Sequence, residues 1–232
     1  MIAGVPAERL NDVIYLDLTD SQSSFGLNFF ECEPGADVSD VAKVASFVIH
    51  VFEKVWAVGP ETPRLAHVLR NTTRVMIENP GITFAEIPLL FWDDGVREKL
   101  VQRATNTQTK LFWQQYNRKT PWDREEQIAS TINKVDACLN EPLVAQIVSQ
   151  SASTIDFRWI MDEGKILIVN LSPHLEEPER LIGTAILGRL LMAAFSRTDT
   201  PKKNRRPFLI YCDEFRRFAT ADLATFLAGA TG

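Results

Sequence analysis

The sequence predicts an α/β protein whose small parallel sheet is interrupted by an all-helical block. Three short apolar runs predict the sheet: Asp12–Asp17 (DVIYLD), Lys165–Leu171 (KILIVNL) and Phe208–Cys212 (FLIYC). Each is nearly continuous and rich in β-branched or aromatic residues, the pattern of a strand covered on both faces. The block between the first two runs, residues of about 36–150, carries helical spacing and helix caps and no strand pattern. The resulting order is strand, helical block, strand, helix, strand, helix, which reads as one α/β domain with an insertion. We divide the chain at 1–35 (first α/β part), 36–150 (inserted helices) and 151–232 (second α/β part).

In chain order, Asp12–Asp17 is followed by a loop at Thr19-Asp20-Ser21 and a turn at Glu33-Pro34-Gly35. Val41, Val44, Ala45, Val48, Ile49, Phe52, Val55 and Trp56 then recur at helical spacing. Thr62-Pro63 places an N-cap before a first-turn proline. The face Leu65, Val68, Leu69, Val75, Met76 runs to the stop at Asn79-Pro80-Gly81. Thr83 and Glu86 form a capping box that opens a short helix. Asp94-Gly95 opens a helix through Leu100, and Asp123 with Glu126 caps a longer one carrying Ile128, Ile132, Val135 and Leu139. Glu141-Pro142 starts the next. Five or six helices predict a bundle, and a block of this kind is expected to be removable, leaving a soluble α/β core. After Ser151, Asp156–Met161 reads as a short helix ended by Gly164, and Pro178–Arg197 as a long, wide-faced helix. Pro201–Arg206 (PKKNRR) is a polar loop, and Thr220 caps a last helix from Ala221.

Composition narrows the function classes. At 45% hydrophobic and 24% charged, the chain has the make-up of an ordinary globular protein. Its net charge of -5 gives no global argument for nucleic-acid binding. Cys32, Cys138 and Cys212 are dispersed, with no CxxC or Cys/His cluster, which argues against zinc and fits a reducing compartment. No apolar run approaches a membrane span: the longest, Leu181–Phe195, is interrupted by Gly188 and Arg189. MIAGVPAERLND lacks the basic and apolar regions of a signal peptide.

The sharpest chemical signal is Leu209–Glu214 (LIYCDE). An apolar strand followed by Asp-Glu puts two carboxylates at the C-terminal edge of a sheet, where open α/β sheets bind ligands. Nucleotide hydrolysis needs two there. One holds magnesium, a hard cation that takes oxygen ligands; the next polarises the attacking water. Asp213 would take the first role and Glu214 the second.

The continuation FLIYCDEFRRFATADLATFLAGA resembles the Walker B segment of TraG-type coupling proteins of type IV secretion and their HerA- and FtsK-like relatives. Asp12–Asp17 with Phe25-Gly26-Leu27-Asn28 resembles the strand after their Walker A helix, with Phe29 where proline is usual. Thr154-Ile155-Asp156-Phe157, Met161–Lys165 and Val169–Ser172 resemble the segment entering their middle strand, and the helical block resembles their inserted all-α domain. The resemblance implies a partial RecA-like P-loop NTPase sheet, with ATP and Mg2+ as cofactors in the complete protein. It further implies a homo-hexamer that moves DNA and docks relaxosome or secretion-channel proteins. The protein would be cytoplasmic, its complete form anchored at the inner membrane by a segment outside this sequence. Arg216 or Arg217 would be candidates for an arginine finger. One departure matters: no G-x-x-x-x-G-K-[ST] string occurs in the chain, so the loop that cradles phosphate is expected upstream in the parent protein.

The alternative is a non-hydrolysing helical docking module with a degenerate NTPase remnant. An unrelated α/β enzyme has neither a dinucleotide fingerprint nor a nucleophile elbow to support it. Other residues read structurally. Arg64 and Arg70 suit salt bridges, and Lys202, Lys203, Arg205 and Arg206 a solvated loop. His50, His67 and His174 share no metal spacing. Trp92, Trp113 and Trp122 are expected in the core or lining a groove. Ser172 has no nearby His for a nucleophile pair.

Overall fold

The computed structural model describes residues 4–20, 25–32, 35–171 and 176–220. Two of the three apolar runs are strands. β1 (Val13–Asp17) and β2 (Ile166–Asn170) pair in parallel, in register from Val13 opposite Ile166 to Asp17 opposite Asn170. Arg9 and Lys165 both reach Asp12, at 3.0 and 2.7 Å, and lock the entry to the pair. Leu16 is buried while Tyr15 is 42% exposed, so β1 is covered mainly on one face.

The third run departs from expectation. Phe208–Cys212 is irregular chain, and the sheet of the described residues has two strands. Leu209, Ile210 and Tyr211 are 73, 50 and 90% exposed. Side chains capture the backbone leading into the run: Arg197 Nη2 donates to the Arg206 carbonyl at 2.8 Å, and Arg206 Nη1 to the Glu163 carbonyl at 2.8 Å. Pattern nominates a strand, but a strand exists only through its ladder, and this one makes none among the described residues. The helix expected from Ala221 lies outside them.

Between the strands lie α1 (Val38–Trp56), α2 (Pro63–Ile77), α3 (Ile87–Trp92), α4 (Asp94–Gln102), α5 (Thr107–Asn117), α6 (Pro121–Leu139) and α7 (Pro142–Val148). α8 (Phe157–Asp162) precedes β2 and α9 (Glu176–Ser196) follows it. The local chemistry matches the boundaries. Asp37 accepts from the Asp40 amide at 2.9 Å to start α1, and the Thr83–Glu86 box closes at 2.6 Å. Thr120, three residues before Asp123, caps α6. The short helix expected after the Thr83–Glu86 box is α3, entered through a single 3-10 turn, Phe84–Glu86, whereas α5 is not anticipated by the sequence pattern. α5 is capped by Asn106 and buries Phe112, Trp113 and Tyr116.

One apolar core runs from Leu16 and Phe25 through the helical block to α9. α1 and α9 approach closely because Gly188 has no side chain: a Cβ there would collide with the Phe47 ring. Arg189, which breaks the apolar run in sequence, reaches across to the carbonyls of Asn28 (2.7 Å), Phe29 and Glu31 (both 3.2 Å). The stretch Glu177–Asp199 is long and apolar enough to cross a membrane by length and composition, contrary to the sequence expectation. However, 67% of its most apolar window is buried inside the protein, so it serves as the central core helix. Because α1 covers α9, removing the helical block would expose this helix, which reverses the expectation of a soluble remainder. Trp113 is buried as expected, whereas Trp92 and Trp122 are 54 and 75% exposed.

Candidate functional site

Asp213 and Glu214 sit on an exposed turn rather than at a strand end. Glu214 has φ 49°, ψ 38°, the left-handed conformation, and leads into a single 3-10 turn, Phe215–Arg217. Such a backbone costs a non-glycine residue about 1–2 kcal/mol, so surrounding contacts must hold it. The Asp213 Oδ1 accepts from the Glu214 amide at 2.9 Å. The Arg217 amide closes the turn on the Glu214 carbonyl at 2.8 Å.

Three anchors seat the turn on the protein. Phe218 is buried against Leu187 and Leu191 of α9. Gly183 makes room for it: a Cβ there would lie 2.6 Å from the Phe218 ring. Lys54, near the end of α1, donates to the Arg216 carbonyl at 2.8 Å, tying the helical block to the acidic turn. Arg217 forms the third anchor. Its Nη1 is 3.0 Å from Glu214 Oε2, and its Nη2 is 4.0 Å from Glu179 Oε2 in the first turn of α9.

A second polar group lies at the C-terminal ends of the strands. Asp17 Oδ1 accepts from the Thr19 amide (2.8 Å), the Thr19 hydroxyl (2.6 Å) and Asn170 Nδ2 (3.1 Å), and Oδ2 from the Tyr15 hydroxyl (2.8 Å). The Thr19 hydroxyl first, then the Thr19 amide, brings the Asp17 carboxyl down from 3.8 to about 2. No hydrogen bond or ion pair joins this group to Asp213 or Glu214 among the described residues. In the sequence Asp17 and Asn170 stand only as parts of strand segments, with no site role, and Glu179 does not stand out at all. Asp17 and Asn170 had the same signal as Asp213, a polar residue closing an apolar run. Glu179 had none, since a glutamate in a first helical turn is ordinary.

The predicted arginines separate. Arg217 is engaged within its own chain, as above. Arg216 is exposed, and its side chain makes no hydrogen bond or ion pair among the described residues. Arg64 pairs with Glu126 at 2.8 Å and Arg70 lies 3.8 Å from Glu53, as a structural role requires. In the basic loop Arg205 and Arg206 bind backbone carbonyls, and the loop is solvated. His67 packs edge-on to Phe112; His174 lies outside the described residues. No three His, Cys, Asp or Glu side chains among the described residues could hold a metal together. Asp213 is exposed and makes no ion pair among those residues; a cation there would have one protein carboxylate and take the rest of its oxygen shell from elsewhere.

No family model matches the chain, and neither the curated proteins nor the solved structures include one similar to it.

Proposed function

We propose that this chain carries the acidic half of the hydrolytic site of a DNA-translocating P-loop ATPase of the coupling-protein type. The observation that carries the reading is the adjacent Asp213–Glu214 pair, held outward by a left-handed turn and clamped to α9 and α1. Asp213 would hold Mg2+, which would neutralise the phosphates of ATP. Glu214 would orient and deprotonate the attacking water. The Lys54 contact supports a link between cargo docking on the helices and the catalytic turn. DNA, relaxosome or secretion-channel proteins and hexamer formation belong to the same proposal, as do a cytoplasmic site of action and a RecA-like sheet completed by other segments.

A second reading, the non-hydrolysing docking module, draws on an open cleft of about 500 Å3. It lies between α1 and α2, lined by Glu53, Val58, Pro60, Pro63, His67 and Arg70. DNA-stimulated, Mg2+-dependent ATP hydrolysis by the protein as its gene encodes it separates the two. Turnover supports the motor; ATP binding and hydrolysis both at background would leave the docking module.

A further inference from the structure

Glu179, which faces the Arg217 anchor, is a buried carboxylate that the hydrolytic chemistry above does not use. Its side chain is 4% accessible, and its Oε2 has no hydrogen-bond partner. The cation within ion-pairing distance of it, among the described residues, is Arg217. Burial raises the Glu179 carboxyl above its ordinary value, Arg217 opposes that rise, and Glu214 adds to it. Arg217 therefore stands between one buried and one exposed carboxylate, with Nη2 toward Glu179 and Nη1 on Glu214. A guanidinium presents its donors in a fixed planar fork. The buried charge of Glu179 attracts one edge across 4.0 Å, an ion pair without a hydrogen bond, and so biases where the other edge lies. Glu179 is on α9 in the core; Glu214 is on a turn whose backbone is in an unfavourable conformation and needs an external hold.

We propose that Glu179 is a positioning residue for Glu214, acting through Arg217. The ladder Glu179–Arg217–Glu214 transmits the rigidity of α9 to the tip of the acidic turn. It also commits Arg217 to its own chain and leaves Arg216 as the arginine facing outward. The catalytic meaning of the ladder rests on the hydrolytic reading above; the ladder itself does not.

The test is a double-mutant cycle with a local readout on the whole chain. Arg217→Ala strands a buried carboxylate and lowers Tm by about 6 °C, whereas in a Glu179→Gln background the same change lowers it by about 2 °C or less. Equal losses in both backgrounds overturn the coupling. Glu179→Gln, which keeps shape and loses charge, speeds tryptic cleavage after Arg216 about fivefold with cleavage after Arg74 unchanged. Arg217→Lys, which keeps the charge but not the fork, gives a smaller rise in cleavage than Glu179→Gln. Unchanged cleavage in Glu179→Gln overturns the positioning role. In ATP hydrolysis by the complete protein, Glu179→Gln lowers kcat with KM unchanged; a rise in KM alone overturns it too. If the wild type hydrolyses no ATP, the functional proposal falls while Tm coupling and cleavage still decide the ladder.

Discussion

Arg97 offers the most quantitative test of how the helical block is held together. Its side chain is 2% accessible. Nη1 donates to the carbonyls of Leu90 (3.3 Å) and Phe91 (3.0 Å), Nε to Asn117 Oδ1 (2.7 Å), and Nη2 to Asp94. The guanidinium also lies 5.2 Å from the centre of the Tyr116 ring. The Leu90 and Phe91 carbonyls are in the last turn of α3, which cannot satisfy them itself. Arg97 thus ties the end of α3 to the end of α5. Arg97→Met preserves most of the volume and removes every donor. Each buried acceptor left unpaired costs about 1–2 kcal/mol. Asp94 is 76% exposed and simply returns to water, contributing little. Asn117 is likewise exposed, so the Leu90 and Phe91 carbonyls carry the cost, about 3 kcal/mol in sum, at the lower end of the ~3–5 kcal/mol typical of breaking a buried charged contact. For a chain of this size that is a fall in Tm of about 10 °C. Scanning calorimetry with a parallel urea titration measures it. Arg97→Lys, which keeps the charge but not the fork, should lose about half as much. A loss below about 1 kcal/mol for Arg97→Met would refute the claim that this side chain organises α3, α4 and α5.

Further outcomes follow from the same geometry. Asp17 has its carboxyl lowered from 3.8 to about 2, so its stabilisation is complete above pH ~4 and vanishes as pH falls through ~2. The Tm difference between wild type and Asp17→Asn should therefore collapse across that window, and a pH-independent difference would contradict it. Burial first, then Glu177, raises the Cys138 thiol to about 12. Native alkylation at pH 8, followed by mass spectrometry, should label Cys32 or Cys212 well before Cys138. Replacing residues 36–150 by a short linker strips α1 from α9; the product should aggregate, and a soluble monomer would show that α9 needs no cover from α1.

Much of the fold was legible because local rules and tertiary packing agreed. The β1 and β2 runs, the Thr83–Glu86 box and the stop after Ile77 each read correctly from a handful of residues. α5 was not legible: Thr107–Lys110 is polar, and Phe112, Trp113 and Tyr116 form too short a stripe to announce a helix. The run at Phe208–Cys212 misled for the opposite reason. Its residues favour a strand, but pairing is non-local, and Arg197 holds the incoming carbonyl of Arg206 instead. At the candidate site, Asp213 and Glu214 were legible as an acidic pair closing an apolar run. The left-handed turn that presents them, and Glu179 behind Arg217, depend on contacts between distant segments that no spacing encodes.

The central claim is that Glu214 acts on the attacking water while the nucleotide is held elsewhere. The most direct test compares ATP affinity and steady-state ATP turnover for the wild-type complete protein and its Glu214→Gln variant. Loss of one general base removes about 10²–10⁴-fold of the rate. That loss is expected in turnover, with ATP affinity unchanged. Turnover by Glu214→Gln at the wild-type rate would contradict it.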